Sequence, residues 1–236
     1  MRQLVAILLF SFLTTYSTVT PTSVKAEGGG ECHHSQRVET LNWEGSQSPK
    51  DFSKFNHHLG GLFVLLMGGA SLLEALGKFK KGWTKLFWPI PLLLLGAYFL
   101  ILSDRNAWPV GTMSFQESLS DPEILQHKSF ALIMTVLGVI ELLRRQQILL
   151  SVLWVFLSHA IMVLPGLLLL VHSSVMSVNH HSHEIYAEHL IMGSIALLAV
   201  AGRFLHESEL WRWRYSGFVW PSLVFLLGVQ LLLYNE

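Results

Sequence analysis

Charge is scarce in this sequence. Only 14% of the residues are charged, and 16 lysines and arginines balance 16 aspartates and glutamates. A chain with no net charge carries no electrostatic footprint for nucleic acid. Cysteine is scarcer still: Cys32 stands alone, which excludes an intramolecular disulfide framework. No nucleotide-binding glycine loop, no Ser-His-Asp arrangement and no H-E-x-x-H pair occurs. These absences turn the reading away from an enzyme, and away from an ATP-driven pump on this chain alone.

Apolar sequence is what the chain has in quantity, at 51% of residues. Such a composition predicts an all-α, polytopic membrane bundle. The first stretch carries Arg2, an apolar core from Leu4 to Leu13, and Val24-Lys25-Ala26. Small residues at the first and third positions before a cut predict a signal peptide over 1–26, cleaved after Ala26. Residues 27–54 are polar and rich in Gly and Ser, and are expected to form a flexible extracytoplasmic arm. A transmembrane domain is expected over 55–236. It holds six apolar segments, near 57–77, 86–103, 128–143, 148–172, 186–205 and 217–234, of which the third is short for a span.

Lys and Arg orient these spans. With the mature N-terminus outside, the inner loops "KFKKGWTK", "RRQQ" and "RFLHESELWRWRY" hold nine basic residues and the outer segments five. That asymmetry follows the positive-inside rule. It predicts a multi-pass protein of a bacterial inner membrane, in contact with lipid. Twelve of the 16 acidic residues and ten of the 12 histidines then fall outside. The outer face is acidic, rich in ligands and suited to cations.

An internal repeat organises the spans. Residues 57–104 and 189–236 align without a gap at an offset of 132, pairing His57 with His189, Gly61 with Gly193, Trp88-Pro89 with Trp220-Pro221, and Gly96 with Gly228. The middle hairpin opens on His127 and matches only at Gly166. Three helical hairpins are expected, each with a histidine at the outer mouth of its first helix. Gly61 and Gly68, seven apart, are read as packing positions. Glu74 and Glu141, beside "KFKK" and "RR", are read as interfacial ion pairs.

The candidate ligands follow from spacing, since positions i, i+3 and i+4 share a helix face. His180, His183 and Glu184 form one stripe, with His181 beside them in "NHHSHE". Histidine and carboxylate together suit zinc or oxidised copper. His159 with Met162 and His189 with Met192 are i, i+3 pairs, and His172 lies four residues before Met176. Imidazole with thioether favours copper, above all Cu(I). The expected primary site is His57 or His58, His127 and His189 at the helix mouths. Met192 lies one turn further in, His159 with Met162 forms a deeper station, and His180, His181 and His183 act as an outer collector.

Haem b is the competing cofactor. His159 and His172 are thirteen apart, about 20 Å of helix, as in helices that hold two stacked haems. A second helix with that spacing does not occur, so haem is expected to be absent. A single haem on His127 and His189, or on His159 and a neighbour, is the form left open.

The hairpins with a mouth histidine, "HHLGG" at 57–61 and "QHK" at 126–128, resemble the membrane domains of bacterial copper-resistance D-type proteins. The resemblance covers the membrane region. It implies copper held or moved at the periplasmic face. The expected roles are uptake, delivery or tolerance, and the expected partner is a periplasmic metal carrier or redox protein.

Overall fold

Leucine-rich runs broken by short polar loops give a chain of helices. The computed structural model describes residues 49–78, 84–176, 183–210 and 213–235, all within the unit Gly45–Glu236. The helices are α1 (Pro49–Ala75), α2 (Thr84–Phe87), α3 (Pro89–Leu102), α4 (Phe115–Ser120), α5 (Pro122–Arg145), α6 (Val152–Met176), α7 (His183–Glu207) and α8 (Ser216–Leu232). Among the described residues there is no strand. The expected signal peptide, Cys32 and nearly all of the expected arm lie outside the described residues.

Helix starts are chemically marked. Pro89 and Pro122 open α3 and α5, where a missing N–H costs nothing. The Asp121 carboxylate caps α5 by accepting from the backbone N–H of Glu123 and Ile124. This cap corrects the third span. It is not short: α5 runs 24 residues, because its first turns (Pro122, Glu123, Gln126, His127, Lys128) are helical although polar.

The surface is inverted relative to a soluble protein. Leu62, Leu66, Leu94, Leu132, Leu153, Leu164, Leu198 and Phe225 are exposed, while Asn56, Ser71, Glu141, Ser158, His159, His189 and Arg203 are buried. Water would penalise both halves of that arrangement, and a bilayer favours both. Four helical stretches are long and apolar enough to cross a membrane: 51–75, 122–145, 152–171 and 186–207. α3 and α8 are apolar and shorter. The chain is a helical, multi-pass membrane protein by these criteria.

The six longer helices follow one another round a closed ring. α1 packs on α3, α3 on α5, α5 on α6, α6 on α7, α7 on α8, and α8 returns to α1. The broadest contacts are α3–α5, α6–α7 and α8–α1. A glycine sits in each. A Cβ on Gly96 would strike Thr135 of α5, one on Gly166 would lie 2.8 Å from the Leu197 side chain of α7, and one on Gly228 would run into the Leu65 backbone of α1. Gly61 faces the Leu231–Leu232 backbone and Gly68 that of Phe225, so both serve close helix approach, as their spacing predicts.

The centre of the ring is filled from every helix. Met67 (α1), Leu92 (α3), Leu137 (α5), Met162 (α6), Ala199 and Val200 (α7), and Val224 (α8) form one buried cluster with Trp88 and Trp220. The two indoles meet edge to face at 5.2 Å.

Candidate functional site

The starts of α1, α5 and α7 share one end of the ring, here called the histidine end. His57 and His189 meet there, their ring centroids 6.0 Å apart and their planes nearly perpendicular. Tyr234, just past α8, stacks on His57 at 4.0 Å and lies edge-on to His189. His57 Nδ1 donates to the Ser53 carbonyl at 2.9 Å, and His58 Nε2 donates to the Tyr234 carbonyl at 3.0 Å. A carbonyl can only accept, so the hydrogen of neutral His57 is on Nδ1 and its lone pair on Nε2.

His127 belongs to the same end and is oriented by a carboxylate. Its Nδ1 is 3.0 Å from Asp104 Oδ1. Burial pushes the Asp104 carboxyl up. The hydrogen bond and charge of His127, helped by Ser103 and Lys128, outweigh it and hold the group below its ordinary value. Asn56 joins the two groups of residues: its amide donates to the Ser103 carbonyl at 2.9 Å and accepts from the Tyr98 hydroxyl. Gln230 Oε1 is buried here without a hydrogen-bond partner, while the Ser103 hydroxyl lies beside the Asp104 carboxylate that it helps to hold ionised.

The structure thus brings His57 and His189 together, with His58 hydrogen-bonded to Tyr234 beside them. Among the described residues, no three His, Cys, Asp or Glu side chains form a group that could hold a metal ion, so the expected three-imidazole cluster with His127 is not assembled. Met192 is buried. His180 and His181 lie outside the described residues, as do the side chains of His172, His183 and Glu184.

His159 and Met162 belong to the opposite, arginine end. His159 stands seven residues into α6, about 10 Å from the helix start. The Met162 sulfur accepts from Arg203 at 3.1 Å. Arg203 is 2% exposed, although its sequence context reads as an inner loop. Its Nε bonds Glu207 at 2.7 Å, its NH2 bonds Glu141 at 2.8 Å, and its guanidinium lies 5.3 Å from the Trp88 ring centre and 5.4 Å from that of Trp220. Glu141 also accepts from Arg144 and lies 3.8 Å from Arg145. Glu141 is therefore in an ion pair as expected, but it is 1% exposed and not interfacial. Glu74 is the interfacial one, half-exposed and 4.0 Å from Arg145. Ser158 accepts from Arg144 at 2.8 Å.

Sequence reasoning missed Arg203, Glu207 and Ser158. A signal was available: Arg203 and Glu207 are i, i+4 on a helix whose neighbours are apolar. The network borders a cleft of about 350 Å³ lined by Glu141, Arg144, Arg145, Arg203 and Glu207 among others.

Compared with protein-family models, curated proteins and solved structures, the chain matches none of them. Its chemistry is read from its own residues.

Proposed function

We propose that this chain is a six-span membrane protein built as three hairpin repeats, and that it binds copper at its extracytoplasmic end in uptake, delivery or tolerance. The observation that carries the metal reading is the meeting of His57 and His189. Two imidazoles sharing one ion stand about 6 Å apart between ring centres, from about 2 Å per metal–nitrogen bond and about 1 Å from nitrogen to centre. The observed separation is 6.0 Å. The His57 tautomer adds support, because its Nδ1–H is anchored on a carbonyl and the ligating lone pair is on Nε2, the usual outer-shell pattern of a metal-bound histidine. Cu(I) accepts two such ligands. His159 and Met162 have no part in this site, since the Met162 sulfur is held by Arg203.

Burial supports the three-hairpin reading. In one gapless register Met67, Leu137 and Ala199 are equivalent, as are Leu92, Met162 and Val224, and Gly96, Gly166 and Gly228; all nine are buried. Ser71, Glu141 and Arg203 are equivalent too, and Glu141 pairs with Arg203. Orientation rests on the basic residues: Arg144 and Arg145 support an inner position for the arginine end.

The test is copper binding by purified, untagged protein in lipid nanodiscs, with a Cu(I) chelator as competitor. Stoichiometric tight binding is expected. His57→Ala and His189→Ala should each weaken it by 100-fold or more, on the order of 3 kcal/mol. Equal affinity in both variants would overturn the site. A visible spectrum of the same sample decides between copper and haem b: no Soret band is expected, and a stoichiometric one would replace copper as the reading.

A further inference from the structure

At the arginine end, His159 is buried and its two ring nitrogens are treated differently. Nδ1 lies 2.7 Å from the Val155 carbonyl, which can only accept, so Nδ1 carries the hydrogen. Nε2 is then a lone pair in the neutral ring. It is buried and has no hydrogen-bond partner. The charged group facing it is Glu207, whose Oε2 is 3.7 Å away. A lone pair facing a carboxylate across a buried gap is repelled, whereas an N–H there is attracted. The pocket offers an N–H on Nε2 an acceptor and offers the lone pair no donor.

We propose that His159 and Glu207 form a proton-binding site, filled from the cleft at the arginine end, whose occupancy moves Glu207 between α5 and α6. Glu207 links the two spaces: it lines the cleft of about 350 Å³ and faces the buried imidazole. Its two oxygens have separate duties. Oε1 is fixed by Arg203 Nε at 2.7 Å. Oε2 lies 3.5 Å from Arg144 NH2 and 3.7 Å from His159 Nε2, at hydrogen-bond distance from neither. An added proton resides on Nε2, and the new N–H draws Oε2 away from Arg144. No bond other than N–H forms, and the proton leaves by the same path.

Among the described residues α6 packs against α5 and α7. The charged group facing His159 is Glu207 of α7; Glu207 in turn pairs with Arg203 of α7 and lies 3.5 Å from Arg144 of α5, and Glu141 of α5 joins these arginines and Arg145. Phe204 closes the remaining side, edge-on at 5.5 Å. With Glu74, the three arginines meet three carboxylates, so the network is balanced without the proton and gains one positive charge with it. That balance makes the site reversible, because neither state strands an unpaired carboxylate or several unpaired cations. Ionisable residues within membrane helices are one setting in which proton relays are built.

The experiment is nitrogen-15 NMR of the full-length, histidine-labelled protein in lipid nanodiscs, with His159 assigned by its loss in His159→Gln. The expected result at about pH 8 is a neutral ring protonated on Nδ1. A second N–H, on Nε2, should appear when the sample is acidified. Glu207→Gln should lower the imidazolium fraction at every pH, and Arg144→Gln should raise it. A ring that stays neutral over the whole range overturns the proposal. So does a wild-type profile in both variants. If one variant fails to fold, the wild-type series and the other variant still decide. The metal reading is untouched by either result.

Discussion

The two ends of the bundle bury polar groups by opposite rules. At the arginine end each strong charge has a partner. Arg203 alone is tied to Glu141, Glu207, Met162 and two indoles. At the histidine end the fixed bonds are to carbonyls and one carboxylate, and the buried Gln230 Oε1 is left without a hydrogen bond. A network of paired charges holds helices in place, although it leaves His159 Nε2 and Trp88 Nε1 without a hydrogen bond. An unsaturated one keeps acceptor capacity for something positive. The difference separates a clamp from a binding site, and each end should fail in its own way when cut.

The largest effect belongs to the clamp. Glu141→Ala takes from buried Arg203 the more buried of its two carboxylates, leaving it Glu207 alone, and removes the hydrogen-bond acceptor of Arg144; it should cost about 3–5 kcal/mol of stability. Unfolding in mild detergent, followed by circular dichroism, measures this. Glu141→Leu combined with Arg203→Met removes both charges and should recover most of the loss, since an apolar pair of similar volume needs no counter-charge. If the double variant is as unstable as Glu141→Ala, the loss comes from packing against the indoles and not from the stranded charge.

Substitution at the other end should give the reverse pattern. His57→Ala removes one hydrogen bond and a stack on Tyr234, so stability should fall by only about 1–2 kcal/mol while copper binding is lost. The same unfolding assay, beside the chelator titration, checks this. A His57→Ala protein as unstable as Glu141→Ala would mean that both ends are clamps.

The contrast was only half visible in the sequence. Helices announce themselves by apolar runs, and close contacts by glycines such as Gly61, Gly68 and Gly228. What a membrane sequence hides is direction. Lipid-facing and centre-facing positions are equally apolar, so Leu66 on the surface and Leu92 in the core look alike. Only the rare polar residue within a span points inward. His159 was read that way. Arg203 was not, because it lies at the end of an apolar run among residues that resemble a basic inner loop. The helix start at Pro122 was hidden for the opposite reason, polar residues in a helical turn. The meeting of His57 with His189 depended on the repeat, which aligned the positions but left their separation to the fold.

The smallest effect is a pH dependence confined to the histidine end. Asp104 is lowered below its ordinary value of 3.8 by its hydrogen bond with His127 and the nearby charges, despite burial. A carboxylate with a depressed value in the folded state adds stability that is present above the ordinary value. That stability is lost as the pH falls through the folded one. Asp104→Asn should therefore be less stable than wild type at neutral pH, by about 1–2 kcal/mol for one charge-assisted bond. The gap should hold down to about pH 4 and close below it, where the wild-type carboxylate also becomes neutral. Melting temperatures of both proteins in detergent, taken from neutral pH to about pH 3, measure the gap. A difference that persists unchanged at the acid limit would show that Asp104 acts by shape and not by charge. It would also remove the electrostatic basis for holding the His127 ring toward the binding end.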